Sequence, residues 1–341
     1  MSVSENADAS GAGKMRAVVA RGYGGSKVLR LEEVARSRPG RGEMLIEVHA
    51  AGINPVDWRL RRGEMRLLSG LKRIRIPGRD VAGVVAAVGE GVEGFCAGDE
   101  VYAMLGGVFG GGYAEYVVVE AGAVASMPEK LSFEEAAGVP LAALTALQAV
   151  RNALREVKEN APHACDAGAL ERRRVLINGA SGGVGTFAVQ LAKIFGAEVT
   201  AVCGAHNAGL VRELGAARVI DYEEEDFASS GEAYDVIFDV VANRSYRVCK
   251  KVLRPGGVYV TTEPGPRQYA SQVLTMPADK KARVVLAKPS GDELSMLGTL
   301  LDAGRLCVVL DRVYSLEEVA EAHAHGEAGH ESGKTVLSVR R

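Results

Sequence analysis

VLINGASGGVGTFAVQLAK, residues 175–193, is the stretch whose reading decides the fold. Residues 175–178 form a short branched apolar run that reads as a strand, and residues 184–195 carry helical periodicity. Between them Gly179, Gly182 and Gly185 stand three apart. The first permits a tight turn, the second lets backbone approach a pyrophosphate, and the third allows helix and strand to pack closely, with the helix N-terminus facing the anion. Gly179, Ala180, Ser181, Gly182, Gly183, Val184 and Gly185 are therefore the expected dinucleotide cradle. A glycine triplet alone is a weak signal, but this one lies in the strand, turn and helix setting that the motif requires.

Cofactor choice is expected at the end of the next strand, residues 198–203, about 20 residues on, where an acidic side chain would bind the ribose 2′-hydroxyl of NAD. That end reads Val202, Cys203, Gly204, Ala205, His206, Asn207, with no carboxylate. A carboxylate would repel a 2′-phosphate, whereas small Gly204 leaves room and His206 and Asn207 offer donors, so NADPH is the expected coenzyme. Cys203 itself reads as a small buried hydrophobe.

Helix and strand alternation continues outward from the turn, with a helix at 207–214, a strand at 218–221, a strand at 234–240 and a helix at 246–253 stopped by Pro255 and Gly256. Strands at 258–262 and 282–287 and a helix at 292–303 complete an α/β pattern, a doubly wound parallel sheet. Residues 15–140 differ: short strand-like runs at 44–48, 81–88 and 113–119 are punctuated by glycine, as in a small β-rich domain. Glycines at 106–112 predict a flexible loop, and the size of the substrate pocket is expected to depend on it and on residues 61–75. Residues 152–173 read as a helix tail plus a surface insertion, and residues 1–14 as a loose tail. The final strand, helix, strand stretch, 306–313, 316–325 and 335–339, fits either domain by pattern alone.

With 341 residues, 47% hydrophobic and 25% charged, the chain has the profile of a soluble globular protein large enough for two domains. The formal net charge of −2 argues against a nucleic-acid footprint, and Arg59, Arg61 and Arg62 read as a solvated face. Five cysteines without paired spacing fit free thiols in a reducing compartment. No run approaches the roughly 18 apolar residues of a membrane span, and the polar opening does not resemble a secretory signal.

Six further segments carry a resemblance. AAGINPVDWRLRRG (50–63), PGRDVAGVVAAVGEGVEGFCAGDEVYA (77–103), PLAALTALQAV (140–150), NGASGGVG (178–185), LGAARVIDY (214–222) and GKTVLSV (333–339) resemble the zinc-independent quinone oxidoreductase and enone reductase branch of the medium-chain dehydrogenase/reductase superfamily. The added residues after Val150 and the CGAHN segment (203–207) are most similar to its plant-type members, the group of the chloroplast envelope quinone oxidoreductase homologue. The resemblance implies a GroES-like catalytic domain, residues 15–140 and 306–341, split by a Rossmann domain, residues 141–305, with the coenzyme in the cleft between them. It further implies hydride transfer from NADPH to the alkene of an enone or alkenal, or to a quinone, and a homodimer built through Rossmann strands. Expected locations are the cytosol, with a chloroplast as the alternative. A third reading, a non-enzymatic NADPH-binding or RNA-binding scaffold, has precedents in the same family.

By position, the resemblance places Asn54 and Asp57 in the active-site motif. Trp58 would floor the substrate pocket or pack its own loop, Thr145 would contact the nicotinamide carboxamide, and Tyr222 would lie near the adenosine phosphate. His206 stands where plant relatives usually carry arginine, and an imidazole offers fewer donors to a 2′-phosphate. Zinc-using members carry a cysteine and a histidine in the segments that here read INPVDW and PGRD, and no C-x-x-C occurs, so no metal is expected. His323, His325 and His330 read as helix or loop residues. Without a metal, the carbonyl of an enone must be polarised by hydrogen-bond donors such as Asn54, and no dedicated proton donor stands out.

Overall fold

The computed structural model describes residues 13–65, 75–107, 109–160, 173–329 and 331–340. Residues 1–12 of the expected tail, most of the 61–75 loop, residues 161–172 of the expected insertion, Cys165 and His330 lie outside the described residues.

The first half runs β1 (Lys14–Ala20), β2 (Leu29–Ala35), β3 (Glu43–Gly52), α1 (Pro55–Arg62), β4 (Asp80–Val88), β5 (Glu100–Met104), β6 (Tyr116–Glu120), β7 (Val124–Ser126) and α2 (Phe133–Ala137). The long helix α3 (Pro140–Asn160) leads into β8 (Arg174–Asn178), α4 (Gly183–Ile194), β9 (Glu198–Cys203), α5 (Ala208–Glu213) and β10 (Arg218–Asp221). β11 (Tyr234–Asp239), α6 (Tyr246–Cys249), β12 (Leu253–Thr261), α7 (Pro266–Leu274), β13 (Lys281–Val284) and α8 (Gly291–Asp302) follow, and β14 (Leu310–Ser315), α9 (Val319–Ala328) and β15 (Lys334–Ser338) close the chain's described part.

β8 to β13 make a six-stranded sheet of order β10-β9-β8-β11-β12-β13, parallel throughout. Counted from β8 this is the 3-2-1-4-5-6 order of a dinucleotide-binding fold, whose switch point falls between β8 and β11. Val175, Leu176 and Ile177 are all fully buried because helices cover both faces, which explains the unbroken apolar run in the sequence. The remaining strands form a seven-stranded sheet of order β14-β15-β3-β4-β5-β7, with β6 also on β3, and a separate β1-β2 ribbon. β15 pairs antiparallel with β3, so the last segment of the chain returns to the first sheet and answers the ambiguity left by its pattern.

One apolar core joins the two sheets. It includes Ala50, Tyr102 and Met104 from the first sheet, Ala143, Leu144 and Leu147 from α3, and Ile177, Phe187 and Phe238 from the second. Tyr102 Oη, buried in this core, donates to the Leu294 carbonyl of α8 at 2.6 Å.

Two expectations change. The helix expected over 246–253 is one α-helical turn continued by a 3-10 turn at Lys250–Val252, and β12 begins at Leu253 and passes through Pro255. Its pairing with β11 shifts register between Tyr234 and Val236, and a proline is tolerated at such an irregularity because no ladder donor is required there. The helix tail expected at the start of 152–173 is present, α3 continuing to Asn160. Within the 106–112 loop two glycines serve close packing, while Gly106 and Gly107 have open space around them: at Gly110 (φ +82°) a Cβ would come within 2.0 Å of the Gly78 carbonyl oxygen, and the Gly112 N–H donates to that same oxygen at 2.9 Å. Val108 lies outside the described residues.

Candidate active site

The glycine turn has the geometry its spacing predicts. Gly179 adopts φ +84°, which an L side chain rarely adopts, and a Cβ on Gly185 would sit 2.0 Å from the Gly179 carbonyl oxygen. Gly182 is different. Its φ is −77°, and the nearest atom to an added Cβ is the Gly179 oxygen at 3.7 Å, so its α-carbon faces open space. The first i→i−4 bond of α4 is made by Thr186 to Gly182, which leaves the amides of Gly183, Val184 and Gly185 as the first-turn donors. Ala180 is buried, and its N–H is used internally, on the Val202 carbonyl. These features fit a diphosphate: a cradle without side chains, with amides and the positive end of a twelve-residue helix beside it.

The end of β9 continues the cradle. Cys203 is buried, burial pushes its thiol pKa up, and its carbonyl accepts from the Tyr222 N–H. A Cβ on Gly204 would lie 3.0 Å from the His206 ring and 3.4 Å from Tyr222 Oη, so an exposed imidazole and an exposed phenol flank one small residue. Asn207, by contrast, is buried: its Nδ2 faces His206 Nε2 at 3.0 Å, and its Oδ1 accepts from Ser332 Oγ at 2.7 Å. That serine belongs to the returning C-terminal segment. Gly333 N–H donates to the Ser181 carbonyl at 2.9 Å, and the next residue, Lys334, lays its methylenes over Gly183, where a Cβ would meet Lys334 Cδ at 2.7 Å.

Lys334 links the turn to Asn54. Asn54 is the N-cap of α1, Pro55 holds the first helical position, and Asp57 accepts from the Asn54 N–H at 2.9 Å. Asn54 Nδ2 donates to Asp80 Oδ2 at 2.9 Å, and Lys334 Nζ donates to Asn54 Oδ1 at 2.6 Å and to the Ile53 carbonyl at 2.8 Å. Asp80 Oδ1 accepts from the Leu141 N–H at the start of α3, at 2.9 Å. Tyr113 Oη donates to Asp57 Oδ2 at 3.0 Å. Burial pushes Asp80 up and Lys334 down from their ordinary values, because each charge is costly away from water. Asp57 is pushed up to about 7, by burial first and by the neighbouring Asp80 charge second, and its Oδ1 has no hydrogen-bond partner among the described residues.

The geometry brings together Asn54, Asp57 and the glycine turn, and adds Asp80, Tyr113 and Lys334, which the sequence reading quoted only inside longer segments. Thr145 lies on α3, buried, with its hydroxyl donating to the Leu141 carbonyl at 2.6 Å. Trp58 turns away from this group and packs on α9, edge-on to His323 with ring centroids 6.3 Å apart and hard against Gly326. His323 is buried with neither ring nitrogen hydrogen-bonded among the described residues, and burial, with the Arg61 charge, pushes it down to about 3. The arginine patch is not a uniform solvated face. On one short helix Arg61 projects inward and pairs with Glu327, Arg62 reaches the same carboxylate, and Arg59 pairs with Glu263 beyond β12 at 2.7 Å.

Among the described residues one group could offer three metal ligands within 4.8 Å of one another, Asp311, His325 and Glu331. Its members are already engaged: His325 Nε2 lies 2.5 Å from Asp311 Oδ2, and Glu331 Oε1 accepts from the Thr335 hydroxyl at 2.5 Å. A pocket of about 580 Å³ lies between α3 and the β13–α8 region, crossed by the Arg151–Glu293 and Arg283–Glu156 pairs. It shares no residue with the glycine turn or the Asn54 group.

A parallel sheet with this cradle at its switch point, facing a β-rich domain that meets it through the chain's last strand, defines a nicotinamide-dependent oxidoreductase. Residues 40–129 match the alcohol dehydrogenase GroES-like domain, and residues 214–337 match the zinc-binding dehydrogenase family. The chain is 39% identical over 335 residues to a chloroplastic quinone oxidoreductase, QR1, of Triphysaria versicolor, covering 96% of this chain and 99% of the relative. It is 32% identical to the mitochondrial NAD(P)H oxidoreductase RTN4IP1 of Danio rerio (87% and 84% covered) and 34% identical to the 2-methylene-furan-3-one reductase of Solanum lycopersicum (92% and 76%). Among solved structures, the quinone oxidoreductase of Coxiella burnetii superimposes with a TM-score of 0.83 at 31% identity, over 96% of this chain and all of that one. The chain belongs to the medium-chain dehydrogenase/reductase superfamily, in its quinone oxidoreductase-like group.

Proposed function

We propose that the protein is a zinc-independent, NADPH-dependent reductase of carbon–carbon double bonds conjugated to a carbonyl. The observation that carries this reading is the juxtaposition of a buried carboxamide donor with the glycine cradle, through Lys334, in motif positions that hold neither thiolate nor imidazole. The backbone amides of Gly183, Val184 and Gly185 hold the diphosphate, Gly182 admits it, and Gly204, His206, Asn207 and Tyr222 form the adenosine end. Thr145 orients the carboxamide of the nicotinamide. When bound, the reduced coenzyme supplies a hydride. Asn54 donates to the substrate carbonyl oxygen and stabilises the negative charge that develops there, Asp57 and Tyr113 fix the helix start that carries Asn54, and solvent delivers the proton to the α-carbon. The catalytic unit comprises residues 15–140 and 306–341, and the coenzyme unit residues 141–305.

The test is a panel of enones, alkenals and naphthoquinones, read by loss of NADPH absorbance. Turnover of enones and alkenals over quinones is the expected result. The similarity to a quinone oxidoreductase favours quinone reduction as the second reading, and a strong quinone preference would establish it in place of the first. Tight NADPH binding with no turnover on any acceptor would return the scaffold reading.

The β9–α5 turn supplies no carboxylate, which supports NADPH over NADH. Because His206 is the exposed imidazole there, His206→Arg is expected to raise the NADPH-to-NADH ratio of kcat/KM by about 10-fold, a guanidinium pairing with phosphate through two bonds. An unchanged ratio would place the selecting group elsewhere.

No helix among the described residues is long and apolar enough to cross a membrane. Cys96, Cys203, Cys249 and Cys307 are free thiols, in keeping with a reducing compartment; the cytosol is the proposed one, with the chloroplast of the relative as the alternative. β13 is an edge strand, and Leu274 and Met276 beside it are 76% and 65% exposed, an apolar margin that suits a homodimer across this edge. Light scattering should give the mass of two chains, and the Leu274→Glu, Met276→Glu double variant that of one. A dimer that persists in the variant would move the interface away from this edge.

A further inference from the structure

The carboxamide of Asn54 sits between two groups of opposite chemistry. Lys334 Nζ donates to its oxygen and Asp80 Oδ2 accepts from its nitrogen. Both partners are themselves tied to backbone, Lys334 to the Ile53 carbonyl and Asp80 to the Leu141 N–H. An ammonium offers only donors and an ionised carboxylate only acceptors. Turning the amide over would set NH₂ against Nζ and Oδ1 against the Asp80 oxygen, exchanging two hydrogen bonds for two repulsive contacts. Asn54, Asp80 and Lys334 are 1%, 0% and 3% exposed, so bulk water is not at hand to relieve the mismatch. Nδ2 carries a second hydrogen, which this arrangement leaves for another acceptor.

We propose that Asp80 and Lys334 are positioning residues that lock the Asn54 amide in one orientation, so that its second N–H is held for the substrate carbonyl; this rests on the donor role of Asn54 given above. The lock also reaches the coenzyme seat, because the methylenes of Lys334 lie over Gly183 of the cradle. One side chain thus sets the donor in register with the diphosphate turn. An asparagine at 80 or a glutamine at 334 both donates and accepts, so either substitution makes both orientations of Asn54 available.

The experiment is a mutant cycle measuring kcat and KM at saturating NADPH for Asp80→Asn and Lys334→Gln, each in the parent and in an Asn54→Ala background. In the parent, each is expected to lower kcat by about 10-fold or more, with a smaller change in KM. In the Asn54→Ala background each should leave kcat where that substitution alone puts it, because both act through the missing amide. General structural damage would instead lower kcat in both backgrounds, and such additive losses overturn the lock. Single variants at parental kcat, with Asn54→Ala slow, overturn it as well. Parental kcat in Asn54→Ala removes the donor reading beneath it. NADPH fluorescence titration on each variant reports whether the cradle is assembled. Where one substitution prevents folding, the other decides, with Lys334→Arg, which keeps donors only, expected to recover kcat relative to Lys334→Gln.

Discussion

Gly182→Asp is expected to raise the Kd for NADPH by about 100-fold or more while leaving the fold intact, because it sets a carboxylate against the diphosphate. The position separates binding from folding unusually well. Its φ is −77°, which any residue adopts, and an added Cβ finds nothing nearer than 3.7 Å. The side chain would project into the space that the amides of Gly183, Val184 and Gly185 face, and a negative charge there replaces an attraction with a repulsion. The neighbouring glycines behave differently. At Gly185 a Cβ would meet backbone at 2.0 Å, so Gly185→Ala is a stability variant, and it cannot serve as the binding test. Isothermal titration of Gly182→Asp, with its thermal midpoint held near that of the parent, reads the effect. Parental affinity would mean that the diphosphate is held somewhere other than this turn.

Asn54→Ala is expected to lower kcat by about 10²–10³-fold, the range found when one donor to a developing oxyanion is removed. It also takes one buried hydrogen bond from each of Asp80 and Lys334, which keep only their backbone partners, at a cost of roughly 1–3 kcal/mol of stability. The two effects are separable: the thermal midpoint reports the second, and kcat measured on folded protein well below that midpoint reports the first. The coenzyme Kd should stay near the parental value, because the amides of the glycine turn are untouched. A kcat within about threefold of the parent, less than about 1 kcal/mol of barrier, would assign the donor role to another group.

Of the two elements under test, the glycine turn was readable as chemistry and the Asn54 group only as a motif. Gly179, Gly182 and Gly185 each answer to a local backbone requirement, a positive φ, an open face and a close approach, and such requirements are visible in a window of a few residues. The polar network is assembled from α1, β4, the start of α3 and β15, and Asn54 and Lys334 are 280 positions apart. No spacing rule reports a contact of that separation. A lysine near the C-terminus reads by itself as a solvated charge, and only the antiparallel pairing of β15 with β3 carries it inside. Trp58 and Arg61 show the same limit: one helix turn decides whether an aromatic ring or a guanidinium faces the cleft or α9, and that depends on what packs against α1.

By itself the sequence determined the alternation of strands and helices around residues 175–303, the location of the dinucleotide turn and the absence of a cysteine or histidine in the INPVDW and PGRD segments, because each is set by local backbone geometry and residue chemistry. The tertiary structure alone decided which polar side chains surround Asn54, that the pairing of β15 with β3 carries Lys334 inside, and that Gly110 and Gly112 pack tightly on Gly78. These depend on long-range approach of buried groups, whose desolvation cost is offset where donors meet acceptors that come from a distant part of the chain.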